Sequence, residues 1–108
     1  MTHREQLQVI LAEYRRRLYE VLGDELDAVM LYGSQARGEA AEDSDIDVLC
    51  ILKRPFNLGK MIHRTSKITA EISLAYDVVI SRVFVTREDY ETKRIPFLMN
   101  VRREAIPI

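Results

Sequence analysis

Residues 33–50 read GSQARGEAAEDSDIDVLC: a Gly-Ser pair, a loop rich in small and acidic residues, and the start of a strand that carries two aspartates. The strand is DIDVLCILK, residues 45–53, hydrophobic apart from its leading charges. Asp is among the residues least suited to strands, so two of them at one strand head need a reason. Residues two apart on a strand project from the same face, which pairs Asp45 with Asp47 and sends Ile46 and Val48 to the opposite face. Held a few ångströms apart at an effective dielectric near 20, two carboxylates repel by up to about 4 kcal/mol. A hard divalent cation relieves that repulsion, because Mg²⁺ takes one or two carboxylates, waters and phosphate oxygens.

The rest of the chain reads outward from this strand. Leu7, Ile10, Leu11, Tyr14, Leu18 and Leu22 lie on one helical face, giving an amphipathic helix from about Thr2 to Leu22 with Gly23 as its C-cap. LDAVMLYGS, residues 26–34, is a first strand closing on Gly33, and the segment from Gly33 to Ser44 is a turn with a short helix. After the acidic strand, Pro55 begins a helix that runs to about Leu74. YDVVISRVFV, residues 76–85, is a third strand. Thr86, with Glu88 and Asp89 just after it, marks a helix N-cap. Pro96 opens a last helix, with Phe97, Leu98 and Val101 inward and Arg102 and Arg103 outward. Alternating helices and strands predict an α/β fold, a small mixed sheet of about three strands flanked by helices.

Bulk properties narrow the function classes. The 108 residues suit one compact domain with a modest core. Hydrophobic residues at 47% and charged residues at 31% describe a globular chain, with no apolar run of the roughly 18 residues that a membrane span needs. The N-terminal MTHREQLQ is no signal peptide, and the expected compartment is the cytoplasm. A net charge of −1 gives no general attraction to nucleic acid. YRRRLYE and NVRREAIPI read as solvated helix faces, so direct nucleic-acid binding is not expected. Cys50, the single cysteine, excludes an internal disulfide and reads as core. His3 and His63 have no metal-spaced partner and read as surface, and Tyr32 reads as core.

A third acid extends the pattern, for Asp77 opens the β-branched run DVVIS. If the third strand pairs beside the second, its carboxylate lies near Asp45 and Asp47. Three carboxylates at neighbouring strand beginnings can bracket two metals about 3.5–4 Å apart. Upstream, Gly33 permits close approach to a ligand, and exposed amides with the Ser34 hydroxyl form an anion-binding concavity. No Lys-Ser or Lys-Thr pair follows, so this is not a Walker A loop. Arg37 can bridge phosphate oxygens bidentately.

Gly-Ser, Arg-Gly, Ser-Asp-x-Asp and the later acid in YDVVIS together resemble the minimal nucleotidyltransferases of the DNA polymerase β-like superfamily, over nearly the whole chain. The resemblance implies that fold in a single domain over residues 1–108, with Asp45, Asp47 and Asp77 as catalytic, metal-binding carboxylates. It implies that Gly33 and Ser34 hold nucleotide phosphates and that Arg37 and Ser44 support the loop or the triphosphate. The activity implied is transfer of a nucleoside monophosphate, AMP from ATP or the equivalent from another NTP, to an acceptor hydroxyl. Mg²⁺, as two ions, is the implied cofactor. Relatives of this size are often antitoxins of HEPN-domain toxins, some of which adenylylate a tyrosine on that partner. A non-catalytic antitoxin acting by occlusion is the alternative, and homo- or hetero-oligomers are both open. The closing REAIPI departs from the Arg-x-Gly and aromatic finish common in relatives.

Overall fold

A computed structural model of the chain describes residues 1–40 and 44–108, so part of the loop read between Gly33 and Ser44 lies outside the described residues. Helix α1 (His3–Leu22) is followed by a 3₁₀ turn, strand β1 (Leu26–Tyr32) and the short helix α2 (Gly33–Arg37). Strand β2 (Ile46–Leu52), helix α3 (Leu58–Tyr76) and strand β3 (Ile80–Thr86) come next. Helices α4 (Arg87–Thr92) and α5 (Pro96–Glu104) and the two-residue strand β4 (Ile106–Pro107) complete the fold. The sheet order is β3-β2-β1-β4, with β2 and β3 parallel and the other two pairings antiparallel.

Strand β2 lies inside the sheet with helices over both faces, and its composition follows from that placement. Ile46, Val48, Cys50 and Leu52 face the core shared with α1 and α3, while Leu49 and Ile51 pack with Val101 of α5. No residue from Val48 to Leu52 is more than 1% exposed. A strand covered on both faces becomes a continuous apolar run. Burying each such side chain contributes about 1.5–3 kcal/mol, so β2 holds the two faces in register. It also fixes where its leading residues, Asp45 and Asp47, must stand.

Caps define the helices much as the sequence suggests. Thr2 accepts the Glu5 amide at 3.2 Å, Gly23 closes α1 at φ 58°, and Thr86 accepts the Asp89 amide at 3.1 Å. On the α1–α3 seam the buried Tyr14 hydroxyl lies 2.7 Å from Thr69 Oγ1. Thr69 itself donates to the Thr65 carbonyl, which leaves Tyr14 as the donor in the first bond. Burial pushes the Tyr14 hydroxyl up to about 12.

Four expectations need correction. Helix α3 starts at Leu58 rather than Pro55, because the Asn57 side chain caps it by accepting the Lys60 amide at 2.9 Å. Strand β3 starts at Ile80 rather than at Tyr76, because α3 continues through Tyr76 and Asp77 closes it in the left-handed region at φ 52°. Asp tolerates that conformation better than β-branched residues do. Phe97 is 40% exposed rather than inward, its ring standing edge-on to Tyr32 at 5.6 Å. The chain end, read as helix, leaves α5 after Glu104 and pairs along the open edge of β1, adding a fourth strand. Pro107 stops the helix and is tolerated at a sheet edge.

Candidate active site

The antiparallel register of β1 and β2 sets Tyr32 opposite Asp47, which brings Gly33 against the acidic strand head. Gly33 has φ +75°, and a Cβ built there would lie 2.3 Å from Asp47 Oδ2 and 3.2 Å from its Cγ. Only glycine lets the turn and the carboxylate share that space. Beyond it the backbone coils tightly as α2, with the Glu39 amide on the Ser34 carbonyl at 3.0 Å and Gly38 left-handed at φ 72°. No side chain of Tyr32 caps this short helix.

Arg37 ends α2 and turns toward α5. Its guanidinium reaches Glu104 Oε2 at 2.7 Å and Glu39 Oε2 at 3.1 Å. The buried Gln35 points the other way and ties the loop together, its Oε1 3.1 Å from His3 Nε2 and its Nε2 donating to the Ser44 carbonyl at 3.3 Å. The same helix borders a groove of about 950 Å³ floored by Leu11, Leu31 and Ile106 and flanked by Arg4, Arg15 and Arg37.

Charge concentrates at the strand head. The Asp47 carboxyl is raised above the usual 3.8, first by burial and then by the Asp45 charge; Arg37 opposes the rise and Glu104 adds to it. Tyr32 is pushed up to about 12 by burial, with smaller pushes from Asp47 and Glu104. Glu104 is held below the usual range by its hydrogen bond from Arg37, helped more weakly by the Gly33 amide. The Cys50 thiol, 0% exposed in the middle of β2, is pushed up to about 12 by burial and is core, not a nucleophile.

The structure thus brings together Gly33, Arg37, Asp45 and Asp47, with Ser34 following Gly33 and Ser44 on the loop that Gln35 holds. It does not bring Asp77 into the group. Asp77 is exposed at the same end of the sheet: Val79, two residues on, accepts the Ile46 amide at 2.9 Å. Asp77 belongs to the C-cap of α3, ahead of the β2–β3 register that begins at Ile46 and Ile80. Among the described residues no three His, Cys, Asp or Glu side chains form a metal-holding group. A hard carboxylate at Asp47 that faces the Asp45 charge, beside a glycine that leaves room, fits one divalent ion completed by waters and phosphate oxygens. Sequence reasoning missed Glu104 and Gln35. Nothing in RRE or GSQAR marks either one, since both arrive through tertiary packing.

A mixed sheet that sets an acidic strand head beside a glycine turn and an arginine has the chemistry to handle phosphate and a divalent ion, and comparison with known proteins places the chain among nucleotidyl-transferring enzymes. The chain belongs to the Nucleotidyltransferase domain family, which matches residues 10–103. It is 40% identical over 74 residues to the "Putative protein adenylyltransferase MJ0141" of Methanocaldococcus jannaschii, covering 68% of this chain and 74% of that one. It is 33% identical over 76 residues to the protein adenylyltransferase MntA of Thermococcus cleftensis, covering 70% and 75%. Its fold is shared with the solved structure of a toxin-antitoxin with AMP-PNP, at a TM-score of 0.61 and 15% identity, over 88% of this chain and 69% of that one. No described helix is long and apolar enough to cross a membrane.

Proposed function

We propose that this protein transfers AMP from ATP to a hydroxyl on a partner protein, a HEPN-domain toxin, and thereby acts as its antitoxin. The observation that carries the reading is the close fit of Gly33 against Asp47, which supports a role for this turn in seating phosphate beside the acidic strand head. The named relatives supply the nucleotide and acceptor class by analogy, and the toxin partner comes from the family resemblance and the toxin-antitoxin neighbour.

In this reading Asp45 and Asp47 hold Mg²⁺, which when bound neutralises the polyphosphate and lowers the pKa of the attacking hydroxyl. Gly33 and Ser34 cradle phosphate oxygens, and Arg37 clamps them. The acceptor oxygen bonds to the α-phosphorus, the bond from that phosphorus to the bridging oxygen breaks, and pyrophosphate leaves. Asp77, exposed at the same end of the sheet, is kept as the third carboxylate, for a second ion or for taking the hydroxyl proton.

Intact-mass analysis of a co-purified HEPN toxin, after incubation with MgATP, tests the reading. We expect AMP adducts with wild type and none with an Asp45→Asn/Asp47→Asn variant. A double variant that neutralises the toxin without any adduct supports occlusion instead.

A further inference from the structure

Glu104 stands where two groups meant for the nucleotide converge. Its Oε2 is 2.7 Å from the Arg37 guanidinium, and the Gly33 amide faces the same carboxylate. The side chain is 21% exposed, against 66% for Glu39, the other carboxylate on Arg37. Glu104 is also the last residue of α5, and Leu98 and Val101 anchor that helix at 1% exposure each. Its carboxylate is therefore delivered to the turn by the core rather than by chance at a flexible surface. A carboxylate accepting from an arginine is the same kind of ligand as a phosphate oxygen, with less charge.

We propose that Glu104 is a placeholder for phosphate: it occupies the anion seat at the guanidinium of Arg37, beside the Gly33 turn, in the nucleotide-free protein, and the incoming polyphosphate displaces it. The inference rests on the reading that this seat receives nucleotide phosphate, and it adds a residue that sets nucleotide affinity. A strongly charged ligand outcompetes the carboxylate and frees Glu104 to swing outward. A ligand without phosphate has no means of doing so.

Calorimetric titration with a non-hydrolysable ATP analogue and Mg²⁺ decides it, with adenosine as the phosphate-free control. Glu104→Gln is expected to bind the analogue about two- to fivefold tighter than wild type, the scale of one exposed ion pair, and to bind adenosine unchanged. In an Arg37→Ala background the same substitution should gain less than about twofold, because the competition is gone. Equal or weaker analogue binding by Glu104→Gln, with an unchanged melting temperature, overturns the proposal. So does an equal gain with Arg37 absent, which would mean simple loss of repulsion. If Glu104→Gln does not fold, Glu104→Ser is read by the same criteria. Wild type that binds no nucleotide at all sinks the nucleotide reading itself and this inference with it.

Discussion

Replacing Gly33 by alanine separates the cost of backbone strain from the cost of disturbing the acidic pair, because a second glycine provides the control. Gly33 and Gly38 have nearly the same backbone, at φ +75° and +72°, but a Cβ at Gly38 meets nothing within 4 Å. Either alanine therefore bears a left-handed penalty of about 1–2 kcal/mol, a fall in melting temperature of about 4–8 °C per kcal/mol. Only at Gly33 does the new methyl overlap Asp47 Oδ2, at 2.3 Å. That oxygen must withdraw by about 0.7 Å or more to reach even a tight contact, and a displacement near 1 Å in a reacting group can lower the rate about 10²-fold. The overlap adds about 1–3 kcal/mol of destabilisation if the carboxylate cannot retreat. Melting curves and kcat/KM for AMP transfer should show Gly38→Ala losing stability and keeping activity within about threefold. Gly33→Ala should lose both, with activity down by about 10²-fold. Matching activities in the two variants would refute the claim that Gly33 exists to make room for Asp47.

Two further outcomes follow from the site's charges and its support. The Asp47 carboxyl is raised by burial and by Asp45, so its contribution favours the fold below the ordinary 3.8 and is lost as pH rises through the raised value. Asp47→Asn should therefore abolish transfer yet stabilise the fold at neutral pH by less than about 1 kcal/mol, because the group is partly exposed, read as a higher melting temperature there with little gain at acid pH. A fall at neutral pH would contradict the sign. Gln35→Ala removes the link from His3 through α2 to the Ser44 carbonyl and should raise KM for MgATP more than it lowers kcat, as measured by steady-state kinetics; a pure kcat effect would place Gln35 in the chemistry instead.

The sequence was most informative where local chemistry and tertiary position agree. Ile46 and Val48 had to oppose Asp45 and Asp47 on β2, and the caps at Thr2, Gly23 and Thr86 form as their side chains or backbone require. Asp77 was harder to read, because DVVIS has strand composition while its first residue also suits a left-handed helix cap. Strand β4 escaped notice because its two residues pair only by virtue of the open edge of β1. Glu104 was illegible for a related reason: its place beside Arg37 is set by the packing of α5, sixty-seven residues farther along the chain.

The central claim, that Asp45 and Asp47 serve nucleotidyl rather than phosphoryl transfer, is tested most directly by the position of the label in ATP. With Mg²⁺ and the toxin partner, α-phosphate label should move to protein, γ-phosphate label should not, and Asp45→Asn/Asp47→Asn should move neither. Transfer of the γ-label, or undiminished α-label transfer by the double variant, would contradict the account.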